Sequence, residues 1–187
     1  KKVNFIDHIV VTTDSKIIKN KVGNLYSWFL RAKKLSGDNV SKIEVIKDAV
    51  LKSEKKNNCE YEYIVDLDVS SPLRNIEDII KSYKKFLKNK YGNLFTVTKA
   101  SKNPYFNMIE YKNKSVQIVN YKKKYNSRQK APKVYSMNAS IYIWKKSTLF
   151  SKNPLFNKNT GIYIMPKERS FDIDDITDFK IVRCLSS

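Results

Sequence analysis

Glycine is scarce: there are 4 in 187 residues, and no two of them are close enough to shape a phosphate cradle. The glycine-rich turn that wraps backbone N–H groups around a phosphate is therefore missing from this sequence. Histidine is scarcer still. His8 stands alone, which argues against histidine triads and histidine-rich metal centres, and its place at the start of an apolar run gives it a structural reading. Cys59 and Cys184 are the only cysteines and lie far apart. That spacing fits neither a disulfide framework nor a zinc site, so both are read as reduced thiols. No apolar run approaches the roughly 20 residues of a membrane span, and the start, Lys1–Lys2–Val3–Asn4–Phe5–Ile6, lacks the apolar region and cleavage site of a signal peptide. A cytoplasmic protein with no membrane partner is the expectation.

Acidic residues are also few, 18 against 37 basic ones, giving a net charge of +19. Such a charge invites a nucleic-acid reading. The composition argues against it. Only five of the basic residues are Arg, and the lysines are scattered, as in Lys33–Lys34, Lys55–Lys56, Lys84–Lys85 and Lys122–Lys123–Lys124. Readers of bases and phosphates favour the arginine fork. Abundant Asn and Ile beside the Lys fit an A/T-biased genome. No nucleic-acid partner is expected, although the charge would attract a small polyanionic substrate.

What is present is enough for a core: 41% of the residues are hydrophobic, and a single domain over 1–187 is expected. Ile9–Asp14 reads as a buried strand and Trp28–Leu30 as a short one. Ser15 caps a helix over Lys16–Val22 that Gly23 closes. Ser41–Ser53 has a helical apolar period. Tyr63–Asp68 is a strand, and Pro72 breaks the chain after it. Asn75 caps a helix whose apolar face holds Ile76, Ile79, Ile80, Tyr83 and Leu87. Leu94–Thr98, Ala139–Trp144 and Ile162–Met165 are strands, and Asp175–Leu185 is a terminal helix. Residues 103–133 leave the main pattern, with strand-like pieces at Phe106–Tyr111 and Val116–Tyr121. Alternation of strands and helices predicts an α/β fold with a mostly parallel sheet flanked by helices. Ligands in such sheets bind at the carboxyl ends of the strands, which directs attention to Asp14, Asp68 and the Ser70–Arg74 loop.

The stretch Ser170–Phe171–Asp172–Ile173–Asp174 carries the most chemistry. If extended, it places Asp172 and Asp174 on one face and the apolar Phe171 and Ile173 on the other. Two hard oxygen ligands on one spot suit Mg²⁺, and Mg²⁺ suits phosphate chemistry.

Several segments then fall in one order: Asp66–Leu67–Asp68–Val69–Ser70–Ser71–Pro72–Leu73–Arg74, Arg128–Gln129–Lys130–Ala131–Pro132, Met137–Asn138–Ala139–Ser140–Ile141–Tyr142, Tyr163–Ile164–Met165, and Ser170–Asp174. Together they resemble the acylneuraminate cytidylyltransferases, which make CMP-sialic acid and related CMP-nonulosonates. The likeness covers nearly the whole chain. It implies a Rossmann-like nucleotide-diphospho-sugar transferase fold and a transfer from CTP. The anomeric hydroxyl of a nine-carbon keto-sugar acid attacks the α-phosphate, and pyrophosphate leaves. The resemblance makes Asp172 and Asp174 the Mg²⁺ ligands. It places Arg31 and Ser41, the latter shortly after Asp38, near the nucleotide with Asp68. It places Arg128, a catalytic candidate, with Gln129 beside the sugar, where a guanidinium suits the sugar carboxylate. It also implies that Asn138 and Ala139 line the sugar pocket, that the 103–133 excursion forms a dimer contact, and that Leu155 and Phe156 reach into the partner's sugar pocket.

Each residue also has a plain structural reading. Ser41 could be only a helix cap, Arg31 a surface arginine, Phe156 core, Asn138 a turn former, and Arg74 a cap or pairing partner at a helix start. Two departures stand out. Sialic-acid members usually carry Gln where this chain has Asp68, and a carboxylate cannot donate as an amide does. With Asn103–Pro104–Tyr105–Phe106–Asn107, this looks more like the legionaminic-acid branch. The family's first strand and its phosphate-wrapping loop have no counterpart in the sequence given, so a chain without them is expected to be inactive or impaired. A cytidylyltransferase for another keto-sugar acid, such as 3-deoxy-manno-octulosonate, and a non-catalytic dimerising remnant remain alternatives.

Overall fold

A computed structural model describes residues 3–37, 39–121, 123 and 125–186. Lys1, Lys2, Asp38, Lys122 and Lys124 of the sequence reading lie outside them. The chain forms two compact units. One comprises residues up to Leu67, Asn75–Leu94 and Ile141–Gly161; the other comprises Asp68–Arg74, Phe95–Ser140 and the residues from Ile162 onward.

The longer helices start at side-chain caps. Ser15 accepts from Ile18 N and opens α1 (Lys16–Val22), which Gly23 ends with a positive φ of 81°. Ser41 opens α2 (Lys42–Asn57) by accepting from Ile43 N, and Asn58 closes it in the left-handed region. Asn75 and Asp78 form a reciprocal capping box at the start of α3 (Ile76–Lys88), which satisfies two amides that would otherwise lack partners. A short α4 (Lys146–Leu149) and α5 (Ile176–Leu185) complete the set.

The main sheet has strands β1 (Tyr63–Leu67), β2 (Asn93–Lys99), β5 (Tyr135–Lys145) and β6 (Thr160–Ile164) in the order β1–β5–β2–β6. β1 and β5 are antiparallel, with Tyr63 opposite Lys145 and Leu67 opposite Ile141. Bonds from Lys145 N to Gly92 O and from Ala100 N to Val134 O tie opposite ends of β5 and β2. Gly92 N to Asn159 O and Met165 N to Val97 O run in the same sense along β2 and β6. Three strands thus share one direction and β5 opposes them, giving the mainly parallel, mixed sheet of a Rossmann-like fold.

In the first unit, Ile46, Val50, Trp144 and Leu149 make a buried cluster, flanked by Ile43, Tyr61, Ile64, Tyr142 and Leu155. Three lysines of α2 pack differently. Lys42 lies over the Tyr142 ring at 4.7 Å, Lys52 over Phe29 at 4.5 Å and Lys56 over Trp28 at 4.6 Å. Their stems cover apolar surface while the ammonium groups meet the ring faces. Deeper along α2, burial pushes the Glu54 carboxyl up, but hydrogen bonds from Lys146 and Tyr61 N and the Lys146 charge outweigh it, holding Glu54 below its ordinary value.

The strands expected at Ile9–Asp14 and Trp28–Leu30 are not strands. Among the described residues the first stretch makes isolated backbone bonds with residues flanking the second, Val11 N to Tyr26 O and Arg31 N to Thr13 O, each 2.8 Å. Apolar, β-branched runs predict burial, but a strand also needs a continuous ladder, and none forms here among the described residues. Ile9 is 45% exposed.

In the second unit the 103–133 excursion does contain a hairpin, shorter than expected: β3 (Ile109–Lys112) pairs with β4 (Ser115–Ile118). Asn113 and Lys114 both have positive φ, 50° and 62°, the geometry that joins two strands through two residues. The base of the excursion is tied by Asn103, whose amide donates to Pro132 O at 3.0 Å and whose backbone N donates to Asn107 Oδ1 at 2.7 Å. The asparagines of Asn103–Pro104–Tyr105–Phe106–Asn107 thus serve the loop's own geometry.

Candidate active site

The loop after β1 is built by its side chains. Asp68 Oδ1 accepts from Ser70 N at 3.2 Å and Ser70 Oγ at 3.0 Å, a turn that a short carboxylate makes with the backbone two residues on. Arg74 points back under this turn. Its Nη1 donates to the carbonyls of Asp68, Ser71 (2.7 Å) and, across on β5, Ser140 (3.5 Å). Asp68 N also donates to Ser140 O at 3.2 Å. Arg74 ends the Ser70–Arg74 loop to which the sequence directs attention, and its plain reading there is a cap or pairing partner at a helix start. The structure makes it the brace of the loop.

The Ser170–Asp174 stretch lies against the same loop. Ile173 N donates to Ser70 O at 2.9 Å, and the Ser71 hydroxyl lies 3.4 Å from Asp172 Oδ1. The stretch is not in a strand ladder; that backbone bond holds it instead. Asp172 is half-buried and Asp174 exposed. Asp175 caps α5 by accepting from Thr177 N and Asp178 N, so the carboxylate pair ends at the positive end of a helix.

Asn138 is spent inside the protein. It is 4% exposed. Its Oδ1 accepts from Thr96 Oγ1 at 2.7 Å, and its amide donates to Ser170 Oγ at 3.0 Å and faces Met165 Sδ at 3.4 Å. Ser170 Oγ in turn donates to Pro166 O at 2.7 Å. The side chain expected along the sugar pocket thus anchors the segment that carries the carboxylates. Ala139, beside it, has φ of 51° within β5. A left-handed non-glycine residue in a strand costs about 1–2 kcal/mol, and such strain gathers at functional sites. Ala139→Gly is expected to raise stability by about 0.5–1 kcal/mol, the relieved strain less glycine's extra chain entropy. Ala139→Val is expected to lower it by at least about 1 kcal/mol. Urea titration of both variants checks this; equal stabilities would contradict it.

Arg128 and Gln129 are exposed in the turn before Ala131, whose N donates to Arg128 O at 3.3 Å. Their side chains face solvent, where a guanidinium and an amide are available to a ligand.

The remaining predicted residues belong to the first unit. Arg31 pairs with Asp14 at 3.0 Å, and its Nε is buried with no hydrogen-bond partner among the described residues. The hydrogen bond from Arg31 is the main cause that holds Asp14 below the usual carboxylate range. Ser41 caps α2 and is exposed. Leu155 packs half-buried against the Trp144 cluster, whereas Phe156 is 66% exposed. Their loop is clamped from both sides. Buried Asn93 donates to Leu155 O at 2.8 Å and accepts from Asn157 and Thr160, and Trp144 Nε1 donates to Pro154 O at 2.9 Å.

The residues that could hold a metal are Asp172 and Asp174, two hard carboxylates two residues apart. Among the described residues no group of three or more His, Cys, Asp or Glu converges. That set matches a cation that keeps much of its own water and takes one or two protein carboxylates, as Mg²⁺ does, rather than a zinc cage. No helix among the described residues is long and apolar enough to cross a membrane.

Known proteins share this arrangement of sequence. A family profile described as cytidylyltransferase matches residues 1–185. Post-translational flagellin modification protein B of Campylobacter coli is 42% identical over 188 residues, 99% of this chain and 79% of that protein. CMP-N,N'-diacetyllegionaminic acid synthase of Campylobacter jejuni is 43% identical over 183 residues, 96% of this chain and 77% of that protein. N-acylneuraminate cytidylyltransferase of Escherichia coli is 29% identical over 180 residues, 94% of this chain and 41% of that protein. A family profile that runs nearly end to end, and relatives more than 40% identical over more than three quarters of their own length, lead to one conclusion: the chain belongs to the cytidylyltransferase family and is of the nucleotidyltransferase type.

Proposed function

We propose that the protein activates a legionaminic-type nonulosonic acid with CTP, giving the CMP-sugar and pyrophosphate for surface glycan synthesis. The observation that carries this reading is the contact of the Asp172 segment with the Asp68–Arg74 loop, through Ile173 N to Ser70 O and Ser71 Oγ to Asp172 Oδ1. It brings a carboxylate suited to Mg²⁺ beside a loop that can read a sugar. The choice of sugar is supported by the 43% identity to a legionaminic-acid synthase. Asp68 supports it too, since it offers only acceptors to a substrate.

In this scheme Asp172 and Asp174 hold Mg²⁺, which when bound neutralises charge on the phosphates and draws electrons from the attacked phosphorus. The chain's own part is placement. Arg128, exposed and cationic, pairs with the sugar carboxylate, and Gln129 adds a donor and an acceptor beside it. Arg31 and Ser41 serve the nucleotide. The O–P bond to the anomeric oxygen forms as the bond to pyrophosphate breaks, and the hydroxyl proton passes to solvent or a nearby base. A dimer is part of the proposal: Ile109, Tyr111 and Val116 of the β3–β4 hairpin are 66%, 76% and 61% exposed, and the exposed Phe156 is available to a second copy's sugar site.

The test is pyrophosphate release from CTP and Mg²⁺ with a panel of legionaminic, pseudaminic, N-acetylneuraminic and 3-deoxy-manno-octulosonic acids, using protein from the complete reading frame. The expected result is the highest kcat/KM with the legionaminic acid. A preference for N-acetylneuraminic acid would overturn the sugar assignment. No turnover and no CTP binding would favour a non-catalytic dimerising protein.

A further inference from the structure

We infer that Ser71 is a positioning residue for the Asp172 carboxylate, setting how strongly the site takes a divalent cation; the inference rests on the metal reading above. Ser71 is fully buried. Its hydroxyl lies 3.1 Å from Asn138 O and 3.4 Å from Asp172 Oδ1. One hydroxyl has one proton, so these acceptors compete for it. Neither competitor drifts freely. Asn138 is pinned through Thr96 and Ser170, and the chain at Ile173 is pinned to Ser70 O. Adjacent loop residues thus hold the carboxylate segment by two different means. Ser70 fixes its backbone, and Ser71 presents a donor to the oxygen of the carboxylate itself.

A half-buried carboxylate without a donor at one oxygen samples more rotamers and must be ordered when a cation arrives. A fixed donor removes part of that cost and leaves the remaining lone pairs for the ion. Groups that orient a metal ligand from behind are worth 10–100-fold in metal affinity. No other residue type suits the position as well. Alanine gives no donor and cysteine a weak one, while threonine adds a methyl group at a fully buried position.

The experiment measures Mn²⁺ affinity by electron paramagnetic resonance, and the Mg²⁺ concentration that half-activates pyrophosphate release. It compares wild type, Ser71→Ala, Ser71→Cys, Asp172→Asn and the Ser71→Ala/Asp172→Asn double variant, all in protein from the complete reading frame. The expected result is a loss of about 10–100-fold in Mn²⁺ affinity for both Ser71 variants. Their rate should recover as Mg²⁺ is raised, and Ser71→Ala should have no further effect once Asp172 is Asn. A merely structural hydroxyl would lower thermal stability without moving the metal dependence. If Asp172→Asn loses the metal while both Ser71 variants stay within about twofold of wild type, far inside that range, the role of Ser71 is overturned and the metal reading stands. If Asp172→Asn leaves Mn²⁺ affinity unchanged, the metal reading falls, and the role of Ser71 with it.

Discussion

Asp172→Asn is expected to slow pyrophosphate release by about 10²–10³-fold while leaving the melting temperature nearly unchanged. The amide keeps the shape of the carboxylate and can still accept from Ser71, whose hydroxyl is 3.4 Å from Oδ1 in the native protein. What it loses is charge. A metal that neutralises a phosphoryl group supplies several kcal/mol of transition-state stabilisation, and each 1.36 kcal/mol is a factor of ten in rate. Asp174→Asn should act in the same direction, with little change in stability at an exposed position. Asp175→Asn is the control. Asp175 caps α5 through Thr177 N and Asp178 N, asparagine caps almost as well, and the rate should hold. Steady-state kinetics on the three variants decides the matter. A fully active Asp172→Asn enzyme would remove the carboxylate pair from the mechanism.

Arg74→Ala is expected to destabilise the protein by about 3–5 kcal/mol and to abolish activity. The guanidinium serves the carbonyls of Asp68, Ser71 and Ser140. Hydrogen bonds to charged groups are worth about 1.5–3 kcal/mol each, and a carbonyl left buried without a partner adds its desolvation cost. For a chain of this size that loss lowers the melting temperature by about 10 °C. Arg74→Lys should recover only part of it, because a strongly hydrated ammonium on a different stem replaces the Nη1 that meets all three carbonyls. Thermal melts and circular dichroism measure the outcome. An Arg74 that served CTP instead would raise the KM for CTP and leave the melt unmoved.

Much of this was legible in the sequence where local chemistry decides the outcome. Ser15, Ser41, Asn75 and Asp175 each stand one residue before a helix, and each accepts a hydrogen bond from that helix's first turn. The main-sheet strands from Tyr63 onward lie where apolar, β-branched runs are bounded by turn formers. Ile9–Asp14 looks the same in sequence and fails as a strand, because a ladder depends on what lies alongside and periodicity carries no such information. The site divides in the same way. Asp172 and Asp68 announce themselves by residue type. The brace at Arg74 does not, since its acceptors are backbone carbonyls that every residue possesses. Asn138 lies in a recognisable motif, yet its partners Thr96 and Ser170 are 42 and 32 residues away. The strain at Ala139 has no signal at all, because the residue that would reveal a positive φ is glycine.

The lysines stacked on rings along α2 bear on any attempt to make this protein less basic. A designer trimming the charge of +19 would choose lysines by exposure and swap them for glutamate. At Lys42, Lys52 and Lys56 that choice would place a carboxylate against the electron-rich face of Tyr142, Phe29 or Trp28, turning an attraction into a repulsion. At Lys42 it would also set two acids together, since that ammonium pairs with Asp66 at 2.9 Å. Part of the surplus charge is thus an adhesive, holding the Trp28–Phe29 stretch where the sheet does not. The solubility engineer's spare lysines are the scattered ones elsewhere.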